Sequence, residues 1–164
     1  QAVLILLLLP FGLVGICWGH YLHGYSLDIP SYFGIVALLG VMVNDAIVLV
    51  TAVNDNLRKG MKFFDSVYEG SMSRFRPIVL TSLTTIAGLY PLILSVNPEA
   101  RMVVPMAISV AYGLLIATVI TLVFLPVMLI AINNLKRQMQ YLFTGNKPSA
   151  EEVEQAVKEQ MEAK

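Results

Sequence analysis

The chain is built of long apolar runs separated by short polar breaks, and four of the runs are long enough to cross a membrane. They cover residues 2–22, 31–54, 77–96 and 104–131. About twenty apolar residues, each rising ~1.5 Å along a helix, cover the ~30 Å hydrocarbon layer of a bilayer. The pattern predicts an all-α membrane protein. Four transmembrane helices form a segment over residues 1–135, and a polar tail follows over residues 136–164.

The breaks differ in character. Residues 20–30, HYLHGYSLDIP, form a short connector bracketed by Trp18, Tyr21, Tyr25 and Tyr32, as expected of aromatic rings seated at the headgroup level. Residues 55–76 carry Arg58, Lys59, Lys62, Arg74 and Arg76 against Asp55, Asp65 and Glu69. Gly60 breaks that stretch, and Phe63, Phe64, Val67, Tyr68 and Ser71 then recur at helical spacing. This predicts either a short amphipathic helix on the membrane surface or a solvated loop helix. Pro77 suits the first turn of the third span. Residues 97–101, NPEAR, read as a tight turn. In the tail, Ser149 with Glu152 three residues later is a capping-box pattern that predicts a soluble helix or a frayed end.

Small residues mark packing faces. Ser109, Gly113, Ala117 and Thr121 recur every four residues in the last span, between Pro105 and Pro126 near its ends. Such a face permits close helix approach. Gly15 and Gly19 have the same spacing in the first span.

Within residues 34–53 a single formal charge remains, Asp45, with Asn44 beside it. A carboxylate at mid-span costs about 2.5–3.5 kcal/mol on insertion scales. Spans that keep one usually point it at a bundle interior or a watery cavity, where it moves ions or protons. The structural alternative is a tether, with Asp45 hydrogen-bonded to a neighbouring helix. Thr81, Ser82, Thr84 and Thr85 cluster in the first half of the third span. Hydroxyls in membrane helices can bond back to their own carbonyls, or these can face Asp45. Asp45 lies about eight residues from the cytoplasmic end of its span and Thr84 and Thr85 seven to eight residues into theirs from the same side, so their depths match.

Composition agrees and narrows the chemistry. Of 164 residues, 57% are hydrophobic and 13% charged, where a soluble domain carries about 25% charge. Net charge is zero, which leaves no basic field for nucleic acid. Cys17 is the single cysteine, and His20 and His23 lack companions at metal-ligand spacing. No metal site, cofactor or enzymatic nucleophile–base pair is expected. The two histidines have two readings, pH sensing or interfacial hydrogen bonding. Five Lys and Arg between the second and third spans, with Lys136 and Arg137 after the fourth, put those sides and the tail in the cytoplasm.

The stretches VNDAIVLV, RFRPIVLTSLTTIAGLYPL and VVPMAISVAYGLLIATVITLVFLPVML resemble the last membrane helices of resistance–nodulation–division transporters. These are proton-driven efflux permeases of the bacterial inner membrane, of the hydrophobe/amphiphile multidrug type. The resemblance runs over residues 2–135 and implies helices nine to twelve of a twelve-helix protein with two periplasmic domains. It implies that Asp45 is the intramembrane acid of a proton relay and Thr81 the hydroxyl at the start of the following helix, with the family's principal aspartate pair in the other half of the transporter; Asn44 beside the acid and Thr84 at its depth are assigned to the same relay from their positions. Asn44 departs from the lysine that many multidrug members carry there. The partners it implies are the lipid bilayer, the remaining helices and periplasmic domains, and a homotrimer joined to a periplasmic adaptor and an outer-membrane channel. A stand-alone four-helix scaffold without transport is the competing reading. Metal-exporting members carry extra acidic or Met sites. Met42, Met102, Met106 and Met128 are scattered, so drug efflux is the expectation.

Overall fold

The computed structural model describes residues 2–95, 97–144, 149–150, 153–154 and 157. Four long helices account for most of these positions: α1 Ala2–His23, α2 Ile29–Arg58, α3 Phe63–Ile93 and α4 Val104–Thr144. Helices α2, α3 and α4 are long and apolar enough to cross a membrane, and α1 adds 22 residues of similar character. Among the described residues no strand occurs.

The helix ends follow local rules. Gly24 and Gly60 take positive φ, 66° and 83°, where a side chain is strained and glycine is not. Each closes a Schellman turn. Tyr25 N–H donates to the His20 carbonyl at 3.1 Å after α1, and Met61 N–H to the Asn56 carbonyl at 3.3 Å after α2. Pro30 occupies the first turn of α2. A 3-10 turn, Ala100–Met102, leads into α4.

Two boundaries differ from expectation. The amphipathic stretch and the third span form one helix, α3, which passes through Pro77. One buried stripe explains the continuity: Phe63, Val67, Gly70 and Ile78 lie on one face on both sides of the proline. Tertiary packing of such a face contributes more to helix stability than the lost N–H bond removes. Helix α4 likewise continues past residue 131 to Thr144. The tail pattern at Ser149 and Glu152 falls partly outside the described residues.

Helix α4 is the centre of the bundle. It packs against each of the other three, most extensively against α1. Its small face is the reason: Ser109, Gly113, Ala117 and Thr121 are all buried. The partner helices offer glycines in return. A Cβ at Gly19 would lie 2.7 Å from Tyr112 Cβ, and one at Gly34 would lie 2.6 Å from the Met106 carbonyl oxygen. Gly15 seats on Tyr112 and Ile116. The glycine pair of α1 is therefore a packing surface.

Both histidines hydrogen-bond between helices. His20 Nδ1 faces the Ile16 carbonyl at 3.0 Å, which makes that nitrogen the donor. Its Nε2, 2.9 Å from Ser31 Oγ, accepts from the α2 hydroxyl in the neutral ring. His23 Nε2 meets the Tyr112 hydroxyl of α4 at 2.9 Å. Together they hold the end of α1 to α2 and α4.

Candidate functional site

Asp45 sits near the middle of α2 and is half-buried; Asn44 beside it is exposed. Neither forms a hydrogen bond or ion pair among the described residues, so the tether reading of Asp45 has no partner within this bundle.

The register of α3 against α2 comes from Gly70, whose missing side chain admits Val53. A Cβ there would lie 2.9 Å from Val53 Cγ2 and 3.0 Å from its amide nitrogen. Asp45 precedes Val53 by about as many residues as Ile78 follows Gly70, roughly two turns of helix. In an antiparallel pair Asp45 is therefore level with Ile78. Thr81 stands ~5 Å farther along the axis and Thr84 ~9 Å, at 1.5 Å per residue. The depth match of Thr84 and Thr85 with Asp45 is thus corrected. It assumed that the helix starts at Pro77, whereas α3 starts at Phe63.

The hydroxyls divide into two groups. Thr81 donates to the Ile78 carbonyl at 2.9 Å, Thr84 to Leu80 and Thr81 at 2.9 and 3.0 Å, and Thr85 to Thr81 at 2.8 Å. All three threonines are exposed and bonded to their own helix. Ser82 points the other way, is buried, and meets Thr118 of α4 with oxygens 2.7 Å apart. That pair joins α3 to α4 and takes no part in the Asp45 face.

A further residue enters from the structure. Arg74 Nε is buried with no hydrogen-bond partner among the described residues. Arg74 is four residues from Gly70 and seven from Thr81, spacings that keep all three on one side of α3. By the same register it lies about one turn from the level of Asp45, toward the α2–α3 connection. Its position near the edge of the third apolar run made it read as a topology marker. Only the register reveals a cation close to the depth of the acid.

The face around these residues is open. A Cβ at Gly40 or at Gly88 would meet nothing within 4 Å. Gly40 is one turn from Asn44, and Gly88 one turn from Thr84. Gly40 lies about five residues from Asp45 and well round α2 from it, and Gly88 about ten residues beyond its level on α3, so among the described residues the polar side chains that stand exposed nearest the acid are Asn44 and Thr81.

The AcrB/AcrD/AcrF family model matches residues 1–133. Among solved structures, the chain is similar to the X-ray crystal structure of a heavy metal efflux pump. The two share 32% sequence identity over 80% of this chain, with a TM-score of 0.74. The match covers 14% of the pump's chain, so this chain corresponds to a small part of that relative's length.

Proposed function

The chain belongs to the AcrB/AcrD/AcrF family of resistance–nodulation–division transporters, and from that membership we propose that it supplies four membrane helices of a proton-driven efflux permease. It acts by transport and not as an enzyme. Asp45 with Asn44, Thr81 and Thr84 forms one side of an intramembrane proton relay, and Arg74 supplies the positive charge against which the acid loads and releases its proton.

The observation that carries this reading is the open acid face. A carboxyl group at mid-span is costly, and Asp45 has no described partner within the bundle. Asn44 beside it and Thr81 of α3 are exposed, which leaves this side of the bundle open to another helix. The remaining helices of the transporter cover this face and complete the relay. Thr81 stands nearest in depth, while Thr84 lies toward the outer side and lines the approach. The protein resides in the bacterial inner membrane with the α2–α3 connection and the tail in the cytoplasm. It assembles as a homotrimer with a periplasmic adaptor and an outer-membrane channel.

Amphiphilic drugs are the proposed substrate class. Met42 packs against Gly12 in the core, and Met102 is exposed beside the connecting turn; neither placement forms a soft-metal path. A second reading, metal ions, is favoured by the heavy metal efflux pump among the similar structures. Expression of the full transporter in a sensitised strain distinguishes them through raised tolerance to dyes and detergents or to heavy-metal salts.

The relay itself is tested with Asp45→Asn, which keeps size and most hydrogen bonding while removing the proton. In the full transporter it is expected to leave assembly intact and to cut efflux at least tenfold. Efflux equal to the parent at equal expression would show that Asp45 is structural.

A further inference from the structure

Beyond the last span, a buried carboxylate lies outside every role assigned so far. Glu154 is 4% exposed and both its oxygens are engaged. Asn133 Nδ2 donates to Oε1 at 2.9 Å, and Lys136 Nζ lies 3.4 Å from Oε2. The same Asn133 amide donates to the Ala150 carbonyl at 2.8 Å. Asn133 is itself 1% exposed. A buried carboxamide and a buried carboxylate are both costly unless satisfied, and here each satisfies the other. Asn133 and Lys136 are three residues apart and so present their donors on one side of α4.

Apolar contacts accompany the polar ones. Val153 is buried, and Ala150 and Val157 pack against the core cluster that the four helices share. Val157 N–H donates to the Glu154 carbonyl at 3.2 Å, which closes a turn around the docked acid.

We propose that Asn133 and Lys136 form a docking site for a carboxylate-bearing turn, and that the chain's own segment carrying Ala150, Val153, Glu154 and Val157 occupies it as a strap. The strap is held to α4 at Asn133 and Lys136 and rests on the helical core. Glu154 is its recognition residue, Asn133 reads both the carboxylate and the backbone, and Lys136 supplies the charge. The inference is independent of the proton relay, because none of these residues lies near Asp45.

Hydrogen exchange on the full transporter in detergent or nanodiscs, followed in peptides that span Ala150 to Val157, tests it. Glu154→Leu, Glu154→Lys and Lys136→Glu are each expected to raise exchange about tenfold, since each leaves a buried polar group unmatched. Glu154→Gln, which keeps an acceptor for the Asn133 amide, is expected to retain most of the protection. A merely apolar docking would hold as well with Glu154→Leu as with Glu154→Gln. Equal exchange in parent and Glu154→Leu, or exchange in Glu154→Gln as fast as in Glu154→Leu, overturns the proposal.

Discussion

Adding one methyl group at Gly34 tests the contact between α2 and α4 most directly. In Gly34→Ala the new carbon would lie 2.6 Å from the Met106 carbonyl oxygen and 2.7 Å from Ser109 Cβ. The first neighbour is backbone and cannot rotate away, so the helices must separate by several tenths of an ångström. Overpacking of this kind costs about 1–3 kcal/mol. Against it stands the helix preference of Ala over Gly, roughly 0.5–1 kcal/mol. The net expectation is a loss of about 1–2 kcal/mol. Gly40→Ala, on the same helix with nothing within 4 Å, receives only the favourable part and is expected to hold or raise stability. Unfolding of the purified chain in mixed micelles, titrated with a denaturing detergent and followed by circular dichroism, compares the two. A Gly34→Ala chain as stable as the Gly40→Ala chain would refute the close α2–α4 packing.

Thr118→Val breaks the hydroxyl pair with Ser82 and is expected to destabilise the bundle by about 0.6–1.7 kcal/mol in the same titration. Thr84→Val removes only bonds within its own helix and is expected to change stability by much less. Single cysteines at Ser26 and Ser73, in a Cys17→Ala background, are expected to react with an impermeant thiol reagent from opposite sides of the membrane. Labelling of both from outside intact cells would refute the proposed orientation.

Much of the packing was legible in the sequence because it rests on spacing alone. Four small residues at intervals of four name the face of α4 that the other helices occupy, and Gly15 and Gly19 show the same logic in α1. The continuity of α3 was not legible. Pro77 has the same local meaning at a helix start as within a helix held by packing, and only the buried stripe from Phe63 to Ile78 decides between them. That single boundary also misplaced the threonines, since depth was counted from Pro77 and α3 starts at Phe63. The choice each hydroxyl makes between its own carbonyl and a neighbour depends on a rotamer, which no spacing records. For that reason Ser82, and not Thr84, turned out to bridge two helices. Arg74 was hidden for a related reason: a basic residue near the end of an apolar run looks the same whether it reaches water or turns inward.

The central place of α4 bears on how the bundle comes into being. Helices enter the membrane in the order of translation, and α4 is the last of these four. Until it arrives, α1 lacks its principal neighbour, and the bare backbone at Gly15, Gly19 and Gly34 faces lipid. Helices α2 and α3 can already pair through Gly70 and Val53, while the interfaces that need α4 close only when it arrives. A ribosome stalled before residue 104 would leave an intermediate with exposed glycine faces, open to the proteases that survey unassembled membrane proteins.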